Sequence, residues 1–277
     1  MKRKIWLITG ISSGLGKALA QSVMESGDFV VGTFRRQSQI DEFNKTKSDY
    51  GFAVRLDITD EIQIDQCIET IISKFGFIDV LVNNAGFGFI GAIEEASMRE
   101  VRDVFEANFF GTLKLKKAVL PIMRKRGKGH IVQISSHGGI KAFAGFGIYN
   151  ASKFALEGFS EALAQEVAPL GIKLTIVEPG PFRTNFAGKR LKQADKVIND
   201  YSTTAGAFRE KLKVVDGKQE GDPVKASKAI IKLVASENPS LRLPLGKVAL
   251  MTIGIKVDSI KSDLDKNREV AESVVYL

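Results

Sequence analysis

The sequence predicts an α/β fold in three layers: a doubly wound parallel sheet of about seven strands with helices on both faces. Three observations predict it. Short runs rich in Val, Ile and Leu alternate with longer amphipathic stretches through the first two thirds of the 277 residues. Those runs are apolar on successive positions, as strands covered on both faces are. A glycine-rich turn, Thr9-Gly10-Ile11-Ser12-Ser13-Gly14-Leu15-Gly16, joins the first run to the first amphipathic stretch.

Taken in order, residues 5–9, 29–34, 53–56, 80–82, 131–134 and 174–177 read as buried strands. The basic start and apolar run of the first strand imitate a signal peptide for a few residues, but the run is too short and enters a glycine turn. Leu15, Leu19 and Val23 share one helical face that ends at Gly27, and Ile64, Ile68, Ile71 and Phe75 share another that ends at Gly76. Both glycines suit the left-handed residue that follows a helix. Ser97-Met98-Arg99-Glu100 is a capping box that opens a long helix through Val101, Val104, Phe105 and Leu113. Residues 185–221 are polar, basic and mixed in pattern. A helix resumes at Asp222-Pro223, an N-cap followed by proline at the first helical position, and continues through Ile230, Leu233 and Val234. Residues 241–246 add a strand and the last thirty residues are helical in pattern. With neither repeat nor linker, residues 1–277 read as one domain.

Composition narrows the function. The chain is 44% hydrophobic with a mean hydropathy near zero, enough for a sizeable core. No apolar run approaches the ~20 residues that a bilayer span needs, so no membrane partner is expected. The net charge of +8 favours anionic ligands. Lys and Arg are nevertheless dispersed, and the densest run, Arg124-Lys125-Arg126-Gly127-Lys128, follows a helix. No nucleic-acid motif accompanies them, so no nucleic-acid partner is expected. The single cysteine, Cys67, excludes an internal disulfide and a multi-cysteine metal site, and its place in a helical apolar pattern makes it a small core filler. A reducing cytoplasm is the expected compartment.

Two motifs carry chemistry. Glycines between a strand and a helix let the backbone approach a pyrophosphate, whose charge the helix N-terminus favours. The spacing here is G-x-x-x-G-x-G. The second strand ends in Arg35-Arg36, where an acidic residue would meet the ribose of NAD, so the two guanidinium groups suit the 2′-phosphate of NADP or are simply exposed. NADP(H) is therefore expected in preference to NAD(H). The second motif is Tyr149-Asn150-Ala151-Ser152-Lys153, which puts a phenol and an ammonium one helical turn apart. A tyrosine near its reference pKa of about 10 is a poor base at neutral pH. A nearby lysine charge lowers that pKa, and a shift of about three units is worth roughly 4 kcal/mol. Alone, the spacing also fits a solvated helix face.

Together, Thr9, Gly10, Gly14, Gly16, Asp57, Asn83-Asn84-Ala85-Gly86, Asn108, Ser136, Tyr149, Lys153 and Pro179-Gly180 resemble the short-chain dehydrogenase/reductase family over about residues 4–190. The resemblance implies a Rossmann fold and an oxidoreductase of CH–OH groups. It implies a cofactor site built from Gly10, Ser12, Ser13, Gly14, Leu15, Gly16, Arg35, Arg36, Asp57, Ile58, Asn84, Ala85, Gly86, Tyr149, Lys153, Pro179, Gly180 and Thr184. Asp57 and Ile58 would meet the adenine ring, and Thr184 the carboxamide. Phe182 stands where the family often has Ile or Val. The catalytic set would be Asn108, Ser136, Tyr149 and Lys153.

In the implied mechanism, Tyr149 donates a proton to the carbonyl oxygen, Ser136 stabilises that oxygen, Lys153 binds the ribose and lowers the tyrosine pKa, and Asn108 links the lysine to water. Residues 185–221 occupy the place of a substrate lid. Leu241-Arg242-Leu243-Pro244-Leu245-Gly246 resembles the tail of the hydroxysteroid and retinol dehydrogenase-like branch, which implies an apolar carbonyl or secondary alcohol as substrate. Relatives pair two long helices, here near 98–125 and 149–168, so a homodimer or homotetramer is expected. The alternative is a redox-sensing regulator that binds NADP without turnover. His137 reads as a solvated loop residue or a substrate neighbour, while Phe143, Phe146, Phe182 and Phe186 fit either a cleft or the core.

Overall fold

A computed structural model describes residues 3–47, 49–184, 186, 188 and 191–276. The apolar runs form β1 (Ile5–Ile8), β2 (Phe29–Phe34), β3 (Gly51–Arg55), β4 (Val80–Asn83), β6 (Gly129–Ile134), β7 (Ile172–Pro179) and β9 (Arg242–Leu245). They lie in one seven-stranded parallel sheet in the order β3-β2-β1-β4-β6-β7-β9. The order reverses direction between β1 and β4, which opens a crevice beyond their carboxyl ends. A short second sheet pairs β5 (Gly88–Ile90) with β8 (Leu191–Gln193).

Helices cover both faces. α1 (Gly14–Glu25), α2 (Gln37–Thr46) and α8 (Pro223–Ala235) pack Leu19, Val23, Ile40, Ile230 and Val234 against one face. α3 (Glu61–Phe75), α5 (Gly111–Arg126) and α6 (Gly147–Val167) pack Ile64, Ile71, Leu115, Val119, Leu163 and Val167 against the other. Cys67 is buried among them, and burial pushes its thiol up to about 12, as suits a core filler. No described helix is long and apolar enough to cross a membrane.

Local signals place most element ends. The Ser97 hydroxyl accepts from Glu100 N and the Glu100 carboxylate accepts from Ser97 N, which starts α4 (Met98–Phe105). Asp222 Oδ1 accepts from Val224 N at 2.8 Å, ahead of Pro223 at the first position of α8. Three expectations need correction. The helix that starts after Ser97 is not regular, because a π-turn over Glu106–Phe110 separates α4 from α5. α2 has little apolar periodicity, burying only Ile40, and went unforeseen. The stretch expected to be irregular before Asp222 holds β8 and α7 (Ala207–Val215). Asn185, where the expected lid begins, lies outside the described residues.

Lys116 of α5 is fully buried beneath α6. Its Nζ donates to Ser160 Oγ at 3.3 Å and stands 4.4 Å from the Phe159 ring centre, with no ion pair to a described carboxylate. Burial pushes the ammonium down to about 7 from 10.5. The unfolded chain therefore binds this proton more tightly, so the group's contribution to stability is full above about pH 10.5 and is lost as pH falls towards 7. We expect Lys116→Met to raise stability by about 1–3 kcal/mol at pH 7. In urea titrations the gain should shrink towards pH 10; a gain that does not depend on pH would contradict a buried charge.

Candidate active site

The π-turn sets the site. It presents Asn108, whose Nδ2 donates to Phe87 O at 3.0 Å and whose Oδ1 accepts from Phe87 N at 3.0 Å. The same Nδ2 reaches Ser152 Oγ at 3.2 Å, and Ser152 donates to Tyr149 O at 2.7 Å. Asn108 thus bolts the segment after β4 to α6. Its side chain does not hydrogen-bond Lys153.

Tyr149 and Lys153 lie on one face of α6, as their spacing requires, and both are buried. Ser136 follows β6 and faces the Tyr149 phenol while accepting from Gly138 N at 3.0 Å. The predicted lowering of the phenol pKa is not met. Burial pushes Tyr149 up to about 12, and the Ser136 hydrogen bond offsets this only in part. Lys153 Nζ sits 5.9 Å from the Tyr149 ring centre and donates to Ile134 O at 3.0 Å. Burial pushes the ammonium down to about 8, and the Glu157 carboxylate one turn on works against that. Both groups have lost their water, and the lysine is engaged by a carbonyl rather than by the phenol.

The crevice fits a dinucleotide. Gly10 and Gly14 have φ of +69° and +63°, and a Cβ on Gly16 would lie 2.3 Å from Asn84 Nδ2. Side chains at these places would fill the cradle. Ser13 gives α1 no side-chain cap, which leaves its first turn to an anion. Thr9 Oγ1 accepts from Asn84 N and Ala85 N, each at 2.9 Å, and locks the β1 and β4 ends together. Asp57 Oδ1 accepts from Thr59 Oγ1 at 2.8 Å, and Ile58 is buried beside it. Arg35 and Arg36 are exposed past the end of β2; Arg36 O accepts from Gln39 N at 3.2 Å, and neither guanidinium has a hydrogen bond or ion pair among the described residues.

A cavity of about 590 Å³ opens from this cradle, lined by Ser13, Gly14, Leu15, Asn84 and Gly86 together with Ser136, Tyr149 and Lys153. Pro179, Gly180 and Thr184 line it as well, whereas Arg35, Arg36, Asp57 and Ile58 lie outside it, along the carboxyl ends of β2 and β3. Phe143, Phe146, Phe182 and Phe186 all line it, and Phe146 and Phe186 also pack against the buried Tyr149 cluster, so those two serve cleft and core alike. His137 is half-buried and hydrogen-bonds Thr252 at 2.9 Å, so it is not a solvated loop residue.

Sequence reasoning missed Phe208, which α7 brings to 4.9 Å from the Phe146 ring. It also missed Glu95, which fixes the segment over the site. Glu95 accepts from Ile198 N, Ala92 N and Arg209 Nη2, the last at 2.8 Å. Burial drives its pKa up, but those donors outweigh it and hold the carboxyl below the usual range. No local signal reveals this pair, because Arg209 lies 114 residues away.

A family profile described as short chain dehydrogenase matches residues 4–195. A 3-ketodihydrosphingosine reductase of Bacteroides thetaiotaomicron is 43% identical over 89% of each chain. Retinol dehydrogenase 8 of Homo sapiens is 37% identical over 85% of this chain and 79% of its own. A short-chain dehydrogenase structure from Streptomyces avermitilis superposes with a TM-score of 0.93 at 42% identity, over 99% and 100% of the two chains. The structure titled ElxO with NADP bound gives a TM-score of 0.74 at 28% identity, over 90% and 100%.

Proposed function

Because the chain belongs to the short chain dehydrogenase family, we propose that it is an NADP-dependent reductase of apolar ketones, with Tyr149 as proton donor and the oxidation of secondary alcohols as its reverse. Family membership establishes an oxidoreductase of CH–OH groups that uses a nicotinamide dinucleotide. Cofactor preference, substrate class and residue roles are our inference. One observation carries it. One apolar cavity brings Ser136, Tyr149 and Lys153 beside the glycine cradle, and Phe143, Phe146, Phe208, Leu212 and Val215 line it too. The 3-ketodihydrosphingosine and retinol in the relatives' names support an apolar substrate.

When bound, a nicotinamide dinucleotide supplies or accepts the hydride. Gly10, Ser12 to Gly16, Asn84 to Gly86, Pro179, Gly180 and Thr184 would hold it, with Asp57 and Ile58 at the adenine end. Tyr149 holds its proton at neutral pH, because its phenol titrates at about 12. It is therefore set up to donate that proton to a carbonyl oxygen. Ser136 stabilises the same oxygen by a hydrogen bond. Lys153, still charged at neutral pH, adds positive potential beside the developing negative charge. Asn108 fixes α6 against the segment after β4. The surrounding phenyl rings exclude water from the exchange.

The domain works as one unit in the cytoplasm, as a homodimer or homotetramer, with residues 185–221 as its substrate lid. A panel of apolar ketones and alcohols, followed at the nicotinamide absorbance with both cofactors, tests the reading. Consumption of NADPH with apolar ketones is expected; tight NADPH binding without turnover of any of them would point instead to a redox-sensing regulator. Arg35→Asp combined with Arg36→Ala should weaken NADPH at least tenfold more than NADH, since two guanidinium partners of a phosphate are worth more than about 1.4 kcal/mol. An unchanged ratio in fluorescence titrations would place the 2′-phosphate elsewhere.

A further inference from the structure

The C-terminal helix leaves the body of the fold. α9 (Lys247–Lys266) packs by its first two turns only: Ala249 and Thr252 are buried, and Val248, Met251 and Thr252 line the cavity. From Val257 to Tyr276, through α10 (Arg268–Ser273), every residue is exposed. Yet the helix carries an apolar stripe. Leu250, Ile253, Val257, Ile260 and Leu264 follow one another at alternating steps of three and four residues. That spacing puts all five on one seam with a period of 3.5. Leu250, Val257, Ile260 and Leu264 are 60%, 55%, 45% and 66% exposed. An isolated helix does not maintain such a seam for its own stability, since water gains nothing from it.

The charges beside the seam select the occupant. Residues 247–273 hold five basic side chains (Lys247, Lys256, Lys261, Lys266, Arg268) and five acidic ones (Asp258, Asp263, Asp265, Glu269, Glu272). The helix is neutral in a chain of net charge +8. It offers no attraction to an anionic membrane, which a basic polar face would provide. Lys256 and Asp263 flank the seam on the same side, seven residues apart. In an antiparallel pair of identical helices such positions face each other across the seam, so Lys256 meets Asp263 of the other copy twice. A parallel pair instead sets Lys256 against Lys261 of the other copy.

We propose that α9 is a docking surface for a second copy of this chain, forming an antiparallel two-helix coil in which Val257 packs on Ile260 of the other copy and Ile253 on Leu264. The axis falls between Asp258 and Ser259. The two bodies then lie at opposite ends of the coil, and each cavity wall formed by Val248, Met251 and Thr252 stands at the foot of the paired helix. This interface is separate from the pairing of the helices near 98–125 and 149–168, and it does not depend on the assigned reaction.

Sedimentation equilibrium of the full chain at tens of micromolar tests it. The parent should sediment at no less than twice the 30.3 kDa chain mass, and Val257→Asp combined with Ile260→Asp should sediment at half the parent's mass. Both positions are exposed and outside the cavity, so an unchanged melting temperature and kcat will show that the variant is folded. A monomeric parent, or a variant that keeps the parent's mass, would overturn the proposal. Register is read separately. Under mild oxidation, a mixture of Val257→Cys and Ile260→Cys chains should cross-link, and Val257→Cys alone should not. Equal cross-linking of Val257→Cys alone would overturn the antiparallel arrangement.

Discussion

Replacing Tyr149 by Phe should lower kcat by about 10²–10⁴-fold, the usual worth of a positioned general acid, with little change in NADPH affinity. The physical case rests on what the substitution spares. The Tyr149 ring is buried between Phe146 and Phe186, at centroid distances of 5.3 and 5.6 Å. Phe keeps those contacts, and the Ser152 bond to the backbone carbonyl of residue 149 is untouched. Only the hydroxyl facing Ser136 is lost. That hydroxyl is an acid at neutral pH, because burial holds its pKa near 12. Turnover measured with NADPH and a reactive apolar ketone, together with a binding titration, separates the two effects. Turnover near the parent rate would remove Tyr149 from the mechanism.

Arg242→Ala should cost about 2–4 kcal/mol of stability near pH 8. Arg242 Nη1 lies 2.5 Å from Glu157 Oε2 and also pairs with Glu178, while Nη2 pairs with Glu161. Glu157 and Glu178 are 4% and 1% exposed, so burial already pushes both above the usual carboxylate range. Without the guanidinium they rise further. A carboxyl whose folded pKa is raised supports stability below its unfolded value, and that support is lost as pH rises through the folded pKa. The deficit of the variant should therefore be small near pH 5 and large near pH 8, in paired urea titrations. A loss of the same size at both pH values would mean that the network is not electrostatic. Glu157 also lies one turn beyond Lys153 and helps keep that ammonium charged, so the cluster joins the last strand of the sheet to the active site.

The parts of this protein legible in its sequence are those fixed by neighbours in the chain. Six apolar runs gave six of the seven strands, each within a few residues, because a strand covered on both faces needs apolar side chains in succession, and the alternating stretch 241–246 gave the half-buried seventh. Ser97 and Asp222 announced their helices because a cap acts over two or three residues. Tyr149 and Lys153 share a face because their four-residue spacing is one helical turn. α2 stayed hidden because its neighbours bury only Ile40. The pairing of β8 with β5 stayed hidden because a three-residue strand carries almost no periodicity.

Sequence alone determined the sheet, the glycine cradle, the order of the motifs and the identity of the groups that meet at β1, β4, β6 and α6. Tertiary structure alone decided the titration of those groups, the closure of the cavity by Phe208 and the Glu95–Arg209 clamp, the ties of Arg242 to three distant carboxylates, and the exposure of the α9 seam. The reason is range. Backbone preference and side-chain periodicity act across a few residues, whereas desolvation and charge pairing depend on which surfaces the completed fold presses together.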